Sequence, residues 1–144
     1  MGFEYPKYVR FKCKRCALCC GDTQNRTRSI LLSKPEADYI SKRTSMAINT
    51  IAEETGGFEP YVYAMKKTKD GKCIFLKSKS CIIYPMRPLV CRFYPFPLRS
   101  LGNDRYVFDY TEECPGIGKG SKLKKSFFKT LFQEACIEHD KTRK

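Results

Sequence analysis

The chain has 144 residues, with 28 Lys and Arg against 15 Asp and Glu, so its formal net charge is +13. Nine residues are cysteine and one is histidine, and hydrophobic residues, including those cysteines, make up 42% of the sequence. This length predicts one domain. The apolar share is thin for so short a chain once the cysteines are set aside, which excludes a fold held by ordinary packing alone. Bound metal or disulfides are therefore expected to help hold it.

The sequence carries no sign of export or of a membrane span. Its first residues lack an apolar stretch followed by a small-residue cleavage site. No uncharged apolar run approaches the length of a bilayer-spanning helix. We therefore expect a soluble protein of the cytoplasm with no membrane partner. In that reducing compartment nine cysteines are better explained as metal ligands than as a disulfide framework, although hyperthermophile cytosols do keep disulfides.

In chain order, the first predicted element is a short strand over residues 8–13, where apolar and charged residues alternate. Ser33, Pro35 and Glu36 follow in a capping-box pattern, which predicts the start of a helix. This helix is expected to break near residues 44–45 and to stop at residues 55–57. Its predicted inward face consists of Ala37, Ile40, Ala47, Ile48, Ile51 and Ala52.

Two hairpins and two more helices follow. Asp70-Gly71 between residues 61–65 and 72–76 is a hairpin signal, and a second hairpin is predicted at residues 102–104, returning through 105–110. Pro88 opens a short helix that Pro95 cannot continue. Apolar residues at helical spacing predict an amphipathic C-terminal helix over about residues 121–140, ending in a frayed tail.

These elements predict the α+β class. The expected architecture is a small single domain over residues 1–144. Short hairpins, an N-terminal strand and two or three helices are organised in it around one or more thiolate metal sites.

Both ends of the chain are basic, while its middle is nearly balanced. Residues 1–30 carry seven basic and two acidic side chains, and residues 119–144 carry eight and three. The two ends are expected to share one face or to flank a common site. Clustered Lys and Arg are the usual footprint of a nucleic-acid partner. The C-terminal lysines also fit the solvated side of an amphipathic helix, which we prefer as the simpler interpretation.

Eight of the nine cysteines fall into two groups of four, which is the pattern of a multi-thiolate site. Cysteines separated by two residues let their thiolates converge on one ion or cluster, with backbone N–H groups turned toward the sulfurs. Because Cys19 and Cys20 are adjacent, one of them is expected to serve a different site or to stay free. Cys136 is left over and is interpreted as a small buried apolar residue. The predicted metal ligands are Cys13, Cys16, Cys19, Cys20, Cys73, Cys81, Cys91 and Cys114.

Spacing alone leaves the identity of the metal open. The C-x2-C-x2-C run resembles cubane ferredoxin sites, whose remote fourth cysteine precedes a proline, as Cys114 does. The same eight cysteines are compatible with two Cys₄ zinc sites that interleave the two groups. We favour an iron–sulfur cluster of the 4Fe–4S type, with zinc as the alternative and disulfides third.

The residues around these cysteines resemble the YkgJ-type CxxCxxCC family of domains proposed to chelate zinc or iron. The resemblance covers about residues 11–120. It implies that the eight cysteines named above are the cysteines of the family and that Cys136 lies outside its pattern. One related branch is associated with lysine N-methylation of flagellin, so the resemblance defines the site more sharply than the activity. Its motifs here are Phe11-x-Cys13, Cys73-Ile74-Phe75-Leu76, Cys81-Ile82-Ile83-Tyr84, Arg87-Pro88 and Cys91-Arg92-Phe93-Tyr94-Pro95-Phe96.

Three other residues are candidate cofactor contacts. Gly116 and Gly118 precede the last predicted helix and could form a backbone nest for a phosphate, although a flexible connector is the preferred interpretation. Arg92 is expected to neutralise the thiolate charge beside Cys91. His139, the single histidine, is interpreted as a solvated residue of the helix tail, and no catalytic residue is assigned.

These observations predict a metal-cluster-binding protein. The leading hypothesis is an iron–sulfur protein in electron transfer, or an accessory to a redox or modification reaction, whose partner is a redox protein or the protein being modified. The alternative is a zinc-stabilised module that binds RNA or another polyanion through its basic ends. A third hypothesis is a modification enzyme that holds an anionic cofactor at residues 116–120.

Overall fold

Short strands and four α-helices alternate along the part of the chain that the computed structural model describes, residues 2–13, 18–23, 26–78 and 80–142. The arrangement is mixed α+β, as predicted. The helices are α1 (Lys34–Thr44), α2 (Ile48–Ile51), α3 (Leu89–Phe93) and α4 (Lys125–Thr142), with 3-10 turns at Leu18–Cys20 and Tyr84–Met86. The strands are β1 (Gly2–Glu4), β2 (Arg10–Phe11), β3 (Leu31–Ser33), β4 (Ala52–Glu54), β5 (Tyr61–Met65), β6 (Leu76–Lys77), β7 (Ser80–Cys81), β8 (Leu98–Gly102), β9 (Arg105–Phe108) and β10 (Ile117–Lys122).

Helix α1 begins at the predicted capping box. The Ser33 hydroxyl accepts a hydrogen bond from the Glu36 amide at 3.3 Å, and the Glu36 carboxylate accepts one from the Ser33 amide at 3.0 Å. These two bonds satisfy backbone donors that a helix start leaves open. The predicted break is confirmed, since Ser45 adopts a left-handed conformation with φ of 60° and ends the helix.

The helical prediction is wrong beyond residue 51. A short helix, α2, ends at Ile51, and Ala52 then enters β4, which pairs with β5. Strand β5 lies in the middle of the sheet β3-β5-β4. Pairing with it satisfies the backbone groups of Ala52–Glu54 while Ala52 stays buried. The apolar spacing that predicted one helix face up to Ala52 therefore extends into strand β4.

The first predicted hairpin forms only at its tip. The Gly71 amide donates to the Thr68 carbonyl at 2.9 Å and the Thr68 amide to the Lys72 carbonyl at 2.7 Å, with Gly71 at a φ of +76°. Beyond the turn a single bridge joins Lys67 to Cys73. The predicted first strand, β5, pairs with β3 and β4 instead of with residues 72–76.

The second hairpin is confirmed as β8–β9. Asn103 and Asp104 both have positive φ, as a two-residue type I′ turn requires. Strand β1, which the sequence pattern did not indicate, adds to the same sheet by parallel pairing with β9.

The prolines around α3 act as predicted, and the helix runs from just after Pro88 to Phe93, before Pro95. The C-terminal helix is shorter than predicted and begins at Lys125. Residues 117–122 form β10, which pairs antiparallel with β2, and β2 covers less of the chain than the predicted 8–13 strand.

Buried side chains form two hydrophobic clusters. The thiol-side core contains Cys73 and borders Cys20, Cys81 and Cys91. The aromatic core lies between α3, α4 and the β8–β9 hairpin. No described helix is long and apolar enough to cross a membrane. The thiol-side core comprises Ile30, Leu32, Ala37, Ile40, Ile51, Ala52, Met65, Cys73, Phe75 and Ile83, and the aromatic core comprises Val9, Leu89, Phe93, Phe96, Phe108, Phe128, Leu131 and Phe132.

Candidate metal centre

The backbone attaches the N-terminal cysteine segment to the turn that precedes Cys73. The Cys73 amide donates to the Cys20 carbonyl at 2.6 Å, and the Asp22 amide donates to the Gly71 carbonyl at 2.9 Å. Gly21 lies between these bonds, and a Cβ there would overlap the Gly71 carbonyl and lie 2.7 Å from the Lys72 Cα. A glycine is therefore required for Cys20 to come this close to Cys73.

Backbone N–H groups act on two of the sulfurs. The Phe75 amide lies 3.4 Å from the Cys73 Sγ and donates to it. The Ile83 backbone N–H lowers the pKa of Cys81, which pairs with Leu76 across β6–β7. Such N–H···S contacts stabilise thiolates, and they are the contacts expected where cysteines ligate a metal.

Five thiols form what we call the thiol cluster: Cys19, Cys20, Cys73, Cys81 and Cys91. None of the five is in a disulfide. Burial raises the pKa of Cys91 to about 12, and the charges of Cys73, Cys19 and Cys81 add to this rise. Burial also raises the pKa of Cys73 and of Cys81, with Cys19 adding to both shifts. The cluster therefore resists carrying several negative charges unless a cation compensates them.

Adjacent Cys19 and Cys20 differ in their ionisation. The neighbouring Cys20 thiol, aided by Arg28 and Arg87, lowers the pKa of Cys19 to about 6. The pKa of Cys20 is raised for the complementary reason, with burial and the neighbouring thiolates adding to the shift. The two neighbours thus interact with each other and with the rest of the thiol cluster.

Arg28 supplies the positive charge that sequence reasoning assigned to Arg92. Its Nε donates to the Cys19 carbonyl at 2.8 Å and its Nη2 to the Val90 carbonyl at 3.3 Å. The Arg28 guanidinium lies 4.8 Å from the centre of the Tyr94 ring and lowers the pKa of both Cys19 and Cys91. No sequence signal separates Arg28 from the other basic residues near it.

The interpretation of Arg92 as the neighbour of the thiolates is wrong. The Arg92 guanidinium lies 3.3 Å from Glu134 of α4 and 4.0 Å from Glu36 of α1. A helix turns successive side chains by about 100°, so sequence adjacency to Cys91 does not bring Arg92 to the same face. Arg92 joins three helices instead.

Cys114 and Cys13 lie on two chain segments that a backbone hydrogen bond joins. The Lys12 amide donates to the Gly116 carbonyl at 3.1 Å, which holds the two chain segments together. Cys114 is buried and Cys13 is exposed. Burial, Cys114 and Glu113 raise the pKa of Tyr94 to about 12, and Cys19 adds to the shift. The charges of both Cys114 and Cys19 therefore act on the Tyr94 hydroxyl.

Of the eight predicted ligands, five lie in the thiol cluster and two, Cys13 and Cys114, lie on segments joined by the Lys12–Gly116 hydrogen bond. Cys16 falls outside the described residues. Cys136 lies on α4 beside the aromatic core, and His139 is exposed near the end of the same helix.

The predicted phosphate nest at the start of the last helix does not form. Gly118 lies within β10, and α4 begins only at Lys125. Gly116 serves close packing, since a Cβ there would overlap the Lys12 carbonyl and lie 3.0 Å from the Phe11 ring. Gly116 and Gly120, where a Cβ would lie 2.8 Å from the Lys12 Cβ, allow β10 to approach β2, which also corrects the interpretation of a flexible connector.

The donor set suits zinc or iron–sulfur chemistry, since thiolates bind both. Within the ranges that the structure describes, however, no three Cys, His, Asp or Glu side chains converge closely enough to share one ion. The thiol cluster thus supplies the ligands, and Arg28 supplies a compensating positive charge. A bound metal would have to draw the sulfurs closer together.

Comparisons with known proteins agree with this donor set. A family model named CxxCxxCC, described as a "Putative zinc- or iron-chelating domain", matches residues 12–136. This range is longer than the predicted resemblance over 11–120 and includes part of α4. The chain is also similar to the uncharacterized protein MJ0661 of Methanocaldococcus jannaschii, with 29% identity over 132 residues, 87% of this chain and 68% of that protein. No solved structure matches.

Proposed function

The chain belongs to the CxxCxxCC family of zinc- or iron-chelating domains, and on that premise we propose that its thiols hold an iron–sulfur cluster. The observation that carries this proposal is the gathering of five thiols beside Arg28, with an N–H···S contact on Cys73. Five described thiols are enough to supply the four that one 4Fe–4S cluster or one zinc ion takes. The C-x2-C-x2-C spacing and the Cys114-Pro115 pair add the sequence support for a 4Fe–4S type.

A bound cluster would supply one-electron transfer, and the protein's own residues would set its environment. The Phe75 amide donates to the Cys73 sulfur, the Ile83 backbone lowers the pKa of Cys81, and Arg28 and Arg87 favour the thiolate form of Cys19. Hydrogen bonds to sulfur and nearby positive charge stabilise the reduced state of a cluster, whereas burial opposes added charge. These residues therefore act together on the reduction potential, in electron transfer to a redox partner or in support of a redox or modification reaction.

A cavity of about 330 Å³ adjoins this environment. Arg28, Val90 and Tyr94 line it, and each contacts or neighbours a residue of the thiol cluster. This cavity supports a role in a redox or modification reaction, because a small molecule bound in it would be separated from the thiol cluster only by the side chains that line the cavity.

Anaerobic purification with elemental analysis and a visible spectrum tests the proposal. We expect brown protein with about four iron and four sulfide per chain, whose broad absorption is bleached by dithionite. Cys73→Ser should remove most of the iron, whereas the matched Cys136→Ser, outside the predicted ligands, should retain it. Colourless protein that holds stoichiometric zinc would refute the iron–sulfur proposal.

Zinc is the second candidate, because the same thiolates are compatible with interleaved Cys₄ sites. In that case the metal has a structural role and the function lies in a binding surface. The zinc-loaded protein should then show no dithionite-sensitive absorption and should lose its fold when the zinc is removed.

A further inference from the structure

The two basic ends of the chain meet in one small sheet. Arg10 of β2 and Lys122 of β10 are paired residues in the antiparallel register. The Arg10 Nε donates to the Gly120 carbonyl at 2.7 Å, and the Leu123 amide donates to the Val9 carbonyl at 3.0 Å. Segments more than 100 residues apart in sequence are thus joined by hydrogen bonds.

The outer face of this sheet is charged and its inner face is apolar. Phe11 and Ile117, which are paired, contact the aromatic core, and Phe11 lies 5.4 Å from the Phe96 ring in an edge-on contact. Arg10 and Lys122 are exposed, and so is Lys12, two residues beyond Arg10. We call Tyr8, Arg10, Lys12 and Lys122 the basic face.

The positive charge of the basic face is not balanced nearby in sequence. Residues 5–12 and 115–129 contain eight Lys and Arg and no Asp or Glu. None of these eight forms an ion pair with a carboxylate in the part of the chain that the structure describes. An anionic partner would therefore meet cations that need not leave a carboxylate first.

Tyr8 adds an aromatic ring to these charges. It is 84% exposed, the most exposed of the large hydrophobic residues described, and the Lys122 Nζ lies 4.8 Å from its ring centre. A ring so exposed gains nothing from folding, but it offers a surface on which a planar base can stack. Proteins that bind single-stranded nucleic acids combine cations, which contact the phosphates, with aromatic rings, on which the bases stack.

We propose that the basic face binds single-stranded nucleic acid, with Arg10, Lys12 and Lys122 on phosphates and Tyr8 stacked on a base. Single strands are favoured over a duplex because only unpaired bases expose their faces to Tyr8. Single strands are also favoured over an acidic protein or a lipid surface, because a partner recognised by its charge alone would leave Tyr8 without a role. The proposal holds whichever metal the thiols bind.

Fluorescence anisotropy on the metal-loaded full chain provides the test. The probes are labelled oligouridine and oligothymidine of about twelve nucleotides, and a duplex of the same length. We expect both single strands to bind more tightly than the duplex. Comparing oligouridine with oligothymidine then shows whether the basic face prefers RNA or DNA. Lys12→Gln with Lys122→Gln should weaken binding about tenfold and reduce the salt slope by about 1.4, from two lost phosphate contacts. Tyr8→Ala should weaken it by about tenfold, and Tyr8→Phe should restore most of the affinity.

Matched controls come from another part of the surface. Lys42→Gln with Lys69→Gln removes the same charge from exposed positions on α1 and on the 68–72 turn. Tyr39→Ala removes a second exposed tyrosine that lies near a cation, Arg43 at 5.7 Å. Both controls should leave the affinity within about twofold of the parent protein.

Three results would overturn the proposal: no binding of either single strand at low salt, equal losses in the control variants, or tighter binding to polyglutamate or to anionic vesicles than to oligouridine. Metal content and far-ultraviolet circular dichroism are measured for every variant. A failure of this surface is thereby distinguished from a failure of the metal site.

Discussion

Arg92 belongs to α3 and Arg28 contacts that helix, but the two arginines serve different groups. Arg28 donates to carbonyls of Cys19 and Val90 and lowers the pKa of two cluster thiols. Arg92 pairs with Glu134 and lies 4.0 Å from Glu36. The sequence marks Arg92 because it follows Cys91, but the fold brings Arg28 to the thiols through a contact across 62 residues.

Replacing Arg28 should weaken metal binding. Arg28→Gln removes the charge that favours the thiolate forms of Cys19 and Cys91, and the affinity for Zn²⁺ or Co²⁺ should fall by about tenfold or more. Arg28→Lys should recover part of this loss. The check is a competition titration against a chelator, with Arg92→Gln as the matched control. An equal loss in Arg92→Gln would contradict the assignment of these roles.

Glu36 should give a pH-dependent contribution to stability. Burial raises the pKa of Glu36 above its ordinary 4.5, although the Ser33 and Leu89 amides donate to it. The folded state therefore binds a proton more tightly than the unfolded chain. The contribution of Glu36 is full below the ordinary value and falls as the pH rises through the raised pKa.

Glu36→Gln tests this sign. The variant should lose about 1–3 kcal/mol, because one backbone donor then faces an amide N–H₂ group. The loss should be larger near pH 4 than near pH 7, since only the parent carboxyl titrates. Urea denaturation of both metal-loaded proteins at each pH measures this difference, and Asp38→Asn, an exposed carboxyl on the same helix, is the control. A loss that grows with pH would show that the carboxylate charge is stabilising.

Among the secondary-structure elements, β2 and β10 can pair only because their backbones come close together next to Gly116. Gly116→Ala places a Cβ against the Lys12 carbonyl and the Phe11 ring, so the strands must separate. We expect a loss of about 1–3 kcal/mol, measured by denaturation. Gly56→Ala is the control, because nothing lies within 4 Å of a Cβ at that position and its change should stay within about 0.5 kcal/mol. Equal stability of the two variants would refute the packing argument.

Elements with local chemical signals could be predicted, and elements decided by distant pairing could not. The Ser33–Glu36 capping box, the Asn103-Asp104 turn and the prolines around α3 act over a few residues, and each prediction is confirmed. Residues 117–122 became a strand because β2, more than 100 residues earlier, offers backbone partners. No local pattern carries that information.

At the scale of the whole molecule, the two hydrophobic clusters differ in their relation to the thiols. The thiol-side core contains Cys73 and borders three other cluster cysteines, whereas the aromatic core is built from rings around Phe128 and Phe108. The cysteine spacings were enough to predict a multi-thiolate site. They could not show that Cys19 and Cys20 interact with each other or that Arg28 joins them, because both depend on the folded chain.

Removing the metal should therefore affect the two clusters unequally. We expect amide hydrogen exchange to accelerate strongly over residues 61–83, which border the thiols, and much less over residues 125–135 of α4. Mass-spectrometric exchange on metal-loaded and chelator-treated protein measures both regions in one sample. Uniform acceleration would mean one cooperative unit, and unchanged exchange would mean that the metal does not support the fold.

The short β6–β7 ladder sets an order of events for metal capture. Cys73 and Cys81 are eight residues apart, and Cys81 pairs with Leu76 across the β6–β7 ladder, whereas Cys20 and Cys73 are 53 residues apart. Closing the longer loop costs about 1.7 kcal/mol more in chain entropy. An incoming ion should therefore join Cys73 to Cys81 before it joins Cys73 to Cys20. The slow step of maturation would then be a search by the N-terminal segment, and its rate should depend on the length of the connecting chain.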